Sequence, residues 1–373
     1  MFKLLKTSKK SLARLAILDT AHGKVSSPFF MPIATKAAVK SLTVEDVKNM
    51  GAEIILSNTY HNYLKPGVKI LQKFAGLHDF MSCDLPILTD SGGYQVFSLA
   101  KLRKIKGDNI EFQSHLDGSK HILNPKKVID IQVALNSDIM MVLDECIGLP
   151  AKREDAVKAL ERTTRWAKIA FEYKTKLDRS TRGGSSKTKK QLIFGIVQGA
   201  DFEDLRLRSA SELTKFAFDG FAVGGLAVGE SNEVMYKVLK YTTPALPANK
   251  PRYLMGVGYP ENILEAVKLG VDMFDCVIPT REARHGKLYL PLGKTILNKG
   301  KLKYKTIQIT NSQFFADTKP INQTNLKNYS FSYLHHLFKT QEPLALKLAT
   351  LNNLKFYLDL MKEIRQAIKK GEI

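Results

Sequence analysis

Eight short apolar runs recur along this chain, and most of the segments between them repeat their apolar residues every three or four positions. The runs are "FFMPIAT" (29–35), "AEIILSNT" (52–59), "LPILTDSGG" (85–93), "SDIMMVLDE" (137–145), "LIFGIVQG" (192–199), "DGFAVGGL" (219–226), "RYLMGVG" (252–258) and "DMFDCVIPT" (272–280). Their length suits buried strands, whereas "TVEDVKNMG", "NPKKVIDIQVALN", "REDAVKALERTTRWAKIAFEYKTKL" and "PENILEAVKLG" read as amphipathic helices. Thr43 and Asn124 are the expected N-caps of two of these helices, and Pro260 the expected first residue of a third. Parallel strands need a helical crossover, and closing the sheet removes both of its edges. The pattern therefore predicts an α/β fold, a (β/α)8 TIM barrel, with an open doubly wound sheet as the alternative.

A length of 373 residues accommodates one large barrel or two ordinary domains, and the sustained rhythm favours a single barrel domain over 1–373. Two interruptions read as hairpins. One is "ARLAILDTAHGKVSSPFF" near the start; the other, after the third strand, is "IEFQSHLDGSKHIL", which alternates about Asp117-Gly118. The stretch 178–191 is rich in Gly, Ser and Lys and reads as a flexible surface connection. From about Lys299 the rhythm changes, so residues 299–350 are expected to form an inserted C-terminal subdomain.

An excess of 57 Lys and Arg over 36 Asp and Glu leaves a net charge of +21, which attracts polyanions and makes nucleic acid the leading partner class. No apolar run is long enough to span a membrane, and the N-terminus lacks the apolar core of a secretory signal, so the expected location is the cytoplasm. Cys83, Cys146 and Cys276 are scattered, with no paired C-x-x-C spacing, and suggest neither a disulfide framework nor a metal site.

Loops that follow barrel strands form the active face, and the strand ends here are rich in chemistry. The second run closes with Asn58-Thr59, the third with Asp90-Ser91-Gly92-Gly93-Tyr94 and the fourth with Asp144-Glu145. Gln198-Gly199, Gly224-Gly225 and Gly256-Val257-Gly258 close the next three, and the eighth contains Asp275. An Asp after a strand often only caps the next helix, but Asp275 lies among Phe274, Cys276, Val277 and Ile278, where an unpaired charge is costly. A carboxylate held there is poised for nucleophilic attack or for proton transfer. Two carboxylates facing a ribose suggest glycosidic chemistry with retention, one attacking the anomeric carbon while the other moves protons. The third, with Gln198 and the Gly224-Gly225 backbone, suits the edge of a planar heterocycle on which Tyr94 can stack. Arg281 and Arg284 just beyond suit phosphate or a guanine-like edge.

At these residues the sequence resembles the tRNA-guanine transglycosylase family, whose members exchange the wobble guanine of certain tRNAs for a 7-deazaguanine on the route to queuosine. "SNTYHNYLKPG", "TDSGGYQVFSL", "LDEC", "FGIVQG", "GFAVGGLAVGE", "MGVGYPENILEAV" and "DMFDCVIPTREARHG" come in family order over about residues 12–290, and "YSFSYLHHLF" and "NNLKFYLDLMKEIRQAI" extend the resemblance to the C-terminus. The resemblance implies a (β/α)8 barrel and a covalent ribosyl-enzyme intermediate, with Asp275 as nucleophile and Asp90 as general acid/base. It implies that Asp144, Gln198, Gly224 and Gly225 read the base, with Ser91, Gly92, Gly93, Tyr94, Leu226 and Met255 lining the pocket. The tRNA-contacting loops would be Gly256, Val257, Gly258, Tyr259, Pro260, Glu261 and Asn262, together with Thr280, Arg281, Glu282, Ala283 and Arg284. These would engage a U-G-U in the anticodon loop of the histidine, asparagine, aspartate and tyrosine tRNAs. Cys146 and Val228 resemble the bacterial version, which inserts 7-aminomethyl-7-deazaguanine; a queuine-inserting enzyme is the alternative. A homodimer is implied by the family alone.

One departure stands out. The family carries a C-x-C-x-x-C run and a histidine that together form a structural zinc site, whereas this chain reads "KPINQTNLKNYS" and places Asn352 at the histidine position. Amides are poor substitutes for thiolates, so neither zinc nor any other cofactor is expected. Lys299, Lys301, Lys303 and Lys305 supply either compensating phosphate contacts or a basic edge strand. Two rival readings remain: a sugar glycosidase, disfavoured by the charge and a single Trp, and a catalytically decayed tRNA-binding subunit, disfavoured by the intact Asp90, Asp144, Gln198 and Asp275.

Overall fold

The eight runs condense into eight parallel strands, most of them short because polar or glycine residues follow within a few positions. They are β1 (Phe29–Met31, resuming as Ile33–Ala34), β2 (Ile55–Ser57), β3 (Ile87–Thr89), β4 (Ile139–Met141), β5 (Leu192–Val197), β6 (Gly220–Val223), β7 (Arg252–Leu254) and β8 (Met273–Asp275). This computed structural model describes residues 2–99, 103–181 and 190–373.

The nine strand segments of the sheet begin and end on the two halves of β1, which settles the choice between barrel and open sheet. Its first half pairs with β8, Phe29 opposite Met273, and its second half with β2, Ile33 opposite Leu56. Pro32, with no N–H to give a ladder, divides the two halves, yet its carbonyl still accepts from Leu56 N at 3.0 Å. The barrel therefore closes, and the doubly wound alternative is overturned.

The expected helix starts are present. Thr43 forms a reciprocal capping box with Asp46, Asn124 Oδ1 accepts from Lys127 N at 2.9 Å, and Pro260 opens the helix Pro260–Lys268. Three features differ from the sequence reading. The N-terminal hairpin is a three-stranded sheet, because Phe2–Thr7 adds to Arg14–Asp19 and Lys24–Ser27. The inserted hairpin also gains a strand, Arg103–Lys106, beside Asn109–Gln113 and Lys120–Leu123. Residues 178–181, expected to be loop, finish the helix Arg153–Thr181, and 182–189 lie outside the described residues.

After β8 the chain leaves the barrel for a helix (Ile278–Arg284), an antiparallel ribbon (Lys287–Pro291 with Tyr304–Gln308) and a helix (Phe331–Lys339). This excursion has its own apolar core, built from Ala283, Leu288, Ile309, Phe314, Ile321, Leu334, Leu337 and Ala349. Ala283 and Leu288 draw that core back to β8, before residue 299. The last helix, Pro343–Lys370, returns to the barrel and buries Leu354, Phe356, Tyr357, Leu360 and Ile364 in the main core. It thus takes the place of the eighth barrel helix. Among the described residues no helix is long and apolar enough to cross a membrane.

Candidate active site

A parallel barrel brings the carboxyl ends of all its strands to one rim, so residues far apart in sequence meet there. Asp275 is the last residue of β8, Asp90 follows β3 directly, and Asp144 lies three residues beyond β4. All three line one cavity of about 440 Å³, with Ser91, Gly92 and Tyr94 on one side and Gly224, Gly225, Leu226 and Met255 on the other.

The partners of the buried acids separate scaffold from site. At the opposite rim Asp272 receives Arg14 through Nε at 2.9 Å and Nη2 at 2.5 Å, and Asp138 faces His22 Nδ1 at 3.0 Å and His78 Nε2 at 3.2 Å. These pairs tie the N-terminal sheet to the barrel floor. At the active rim, by contrast, Asp90, Asp144 and Asp275 are held by neutral donors. Asp275 Oδ1 accepts from Tyr253 OH at 2.5 Å and from Gly256 N at 2.8 Å. Asp90 accepts from Thr59 N at 2.8 Å and, by a short contact, from Asn58 Nδ2. Asp144 accepts from Gln198 Nε2 at 2.7 Å and Ser91 Oγ at 3.4 Å.

Without a cation beside them, buried carboxylates are driven toward the neutral form. Burial raises Asp90 to about 7, opposed by Thr59 N–H and reinforced by the charge of Asp275. Burial likewise raises Asp144 to about 6 against the Gln198 amide, and it raises Asp275 against the Gly256 and Tyr253 donors. Asp90 therefore sits where it can take and give a proton near neutrality. Both of these donors to Asp275 use Oδ1.

Most, not all, of the expected pocket residues are on the wall. Gln198 stands behind it: it grips Asp144, and a Cβ at Gly224 would meet its Nε2 at 2.7 Å, one at Gly225 its Oε1 at 2.5 Å. Only glycines leave room for that amide. Gly93 also lies behind, its Cβ position 3.0 Å from the Asp144 carbonyl. Tyr94, 53% exposed, occupies the cavity lip.

Of the two loops expected to touch tRNA, Gly256, Val257, Gly258, Tyr259, Asn262 and Arg281 line the cavity. Pro260, Thr280 and Ala283 are buried, so they shape the surface from beneath and present no side chain to it. Glu261 accepts from Tyr304 OH at 2.5 Å, Glu282 pairs with Lys287 at 3.4 Å, and Arg284 Nη1 donates to Thr280 O at 2.8 Å. The sequence reading missed Tyr253, Asn58 and Thr59 as supports of the acids; for Asn58 and Thr59, their place directly after β2 was the available signal. It also missed Lys36 and Lys40 after β1. Lys40 is lowered first by burial and then by the charges of Arg284 and Lys36, and Arg284 by burial and Arg281. Arg281 lines the cavity, and Arg284, Lys40 and Lys36 follow it within electrostatic reach of one another.

At the position the resemblance gives to zinc, the side chains are neutral amides. Asn352, 2% exposed, accepts from Asn322 Nδ2 at 3.1 Å and donates to the Tyr289 carbonyl at 3.0 Å. Asn322 Oδ1 in turn accepts from Thr324 N and Leu326 N, each at 3.0 Å. These neutral amides are already paired with one another and with the main chain.

A family profile described as queuine tRNA-ribosyltransferase matches residues 8–373. A queuine tRNA-ribosyltransferase of Thermoanaerobacter sp. (strain X514) is 47% identical over 376 residues, spanning 100% of this chain and 94% of that protein. Proteins of the same name from Desulforapulum autotrophicum and Listeria welshimeri are each 46% identical, spanning 99% and 100% of this chain and 95% and 93% of their own lengths.

Proposed function

The chain belongs to the queuine tRNA-ribosyltransferase family, and on that premise we propose that this tRNA-guanine transglycosylase works by double displacement at Asp275. The observation that carries the reading is the meeting of Asp90 and Asp275 in one cavity without a cationic partner. An Asp275 carboxylate oxygen attacks the ribose anomeric carbon, the glycosidic bond breaks, and guanine leaves with the proton that Asp90 supplies. The incoming base then returns a proton to Asp90, its ring nitrogen attacks the same carbon, and the ester to Asp275 breaks. Two inversions give net retention.

Asp144 and the Gly224-Gly225 main chain read the purine edge, held from behind by Gln198. Cys146 and Val228 stand in the cavity wall, which supports the small aminomethyl substituent of 7-aminomethyl-7-deazaguanine over queuine. The substrate is tRNA, and the crowded cations Lys36, Lys40, Arg281 and Arg284 support an anticodon-loop backbone lying across the rim, with aspartate, asparagine, histidine and tyrosine tRNAs as the acceptors. That substrate makes the cytoplasm the compartment this reading requires. Exposed Phe315, Tyr329 and Tyr333 on the second core support a homodimer through that face.

Labelled guanine and unmodified tyrosine tRNA test the reading directly. The wild type incorporates label and Asp275→Asn does not. No incorporation by the wild type ends the transglycosylase reading, and incorporation by the variant moves the nucleophile elsewhere.

A further inference from the structure

Behind the base-reading wall lies a buried cation that the chemistry above does not use. Arg206, on the helix Glu203–Leu213, is 0% exposed, and its hydrogen bonds go to main-chain carbonyls. Nε donates to Ala200 O at 2.7 Å, Nη1 to Val197 O at 3.0 Å and to Gly224 O at 2.7 Å, and Nη2 to Gly225 O at 3.3 Å. Burial lowers its pKa only to about 10, so it is charged near neutrality. A buried cation is costly unless its donors are met, and here the fork joins the end of β5 to the end of β6.

The peptide geometry gives this contact a direction. In a trans peptide the carbonyl and the following N–H point opposite ways. With the Gly224 and Gly225 carbonyls held outward by Arg206, the N–H groups of Gly225 and Leu226 turn toward the cavity that both residues line. Cys146, another group of the cavity wall, lies beside the Gly225 main chain. The same guanidinium anchors Val197 and Ala200, the residues on either side of Gln198-Gly199.

We propose that Arg206 is a positioning residue for base recognition: its guanidinium fixes the main chain from Gly224 to Leu226 so that two N–H groups face the carbonyl edge of the bound purine. The inference rests on the transglycosylase reading and adds to it the element that sets base affinity. A lysine can satisfy some of these carbonyls but not in the planar fork. A one-ångström slip of the wall weakens base binding while leaving Asp90 and Asp275 in place.

Steady-state kinetics of Arg206→Lys with guanine and tRNA varied separately decide it. The expected variant has a KM for guanine raised about tenfold or more, with kcat at saturating guanine within about twofold of wild type, an unchanged KM for tRNA and a similar melting temperature. A folded variant with unaltered guanine KM, or one that loses only kcat, overturns the proposal. If Arg206→Lys does not fold, a crystal structure of the wild type with guanine serves instead. Gly225 and Leu226 N–H groups on the base, with both carbonyls still on Arg206, support the proposal; carbonyls turned away from Arg206 overturn it. Wild-type exchange in the same assay shows separately whether the transglycosylase reading stands.

Discussion

The Tyr253 phenol donates to Asp275 Oδ1 at 2.5 Å, and the main-chain N–H of Gly256 meets the same oxygen at 2.8 Å. Tyr253 reaches it from β7, next to the strand that carries the carboxylate. This pairing favours the charged form of a buried acid and engages only one of its two oxygens.

Tyr253→Phe removes one donor to the charged form, so Asp275 moves further up and the acid limb of activity shifts to higher pH. A hydrogen bond to a charged group contributes about 1.5–3 kcal/mol, which corresponds to a ten- to hundredfold fall in kcat. Exchange rates across pH measure both effects. Unchanged rate and unchanged acid limb would remove Tyr253 from the mechanism.

Asp90 makes stability depend on pH. Folding raises its carboxyl from an unfolded value of about 3.9 to about 7, so the native state holds the proton across that window. The contribution is fully present below about pH 4 and is lost as pH climbs through about 7. Relative to wild type, Asp90→Asn therefore gains stability as pH rises, whatever fixed cost the amide brings. Urea unfolding of both proteins at about pH 5 and about pH 7.5 measures the difference. A difference that does not change with pH contradicts the raised carboxyl.

The expectation that Asn352 and Asn322 hold no zinc predicts indifference to chelators. Melting of the purified protein with and without a strong chelator should coincide, and elemental analysis should find no stoichiometric metal. Asn352→Ala leaves the Tyr289 carbonyl and Asn322 without this partner and costs about 1–3 kcal/mol. One tightly held zinc per chain would sink this account.

Lys36 and Lys40 are expected to contact phosphate. Replacing both with Ala raises the KM for tRNA and lowers the slope of log affinity against log salt by about one per lysine, with guanine KM unaffected. Equal salt slopes for wild type and variant would place the tRNA backbone elsewhere.

The strand-helix alternation and the strand-end acids were legible because apolar periodicity is local. The extra strands Phe2–Thr7 and Arg103–Lys106 were not. Their sequences, "FKLLKT" and "RKIK", are largely exposed and show no inward face, so ladder hydrogen bonds define them rather than apolar burial. Tyr253 was hidden for a different reason: it reads as one more apolar strand residue until the neighbouring strand supplies Asp275. Arg206 carries no sign in a helix that also presents Arg208 to solvent.

The sequence by itself determined that Asp90, Asp144 and Asp275 share a rim, because parallel strands joined by helices must present their carboxyl ends on the same side. It could not determine which buried acids would be neutralised. Asp272 meets Arg14 from 258 positions away, while among the described residues the donors to Asp90 and Asp275 are neutral. Charge state follows from desolvation and from the nearest partners in space, and those are settled only when the barrel closes.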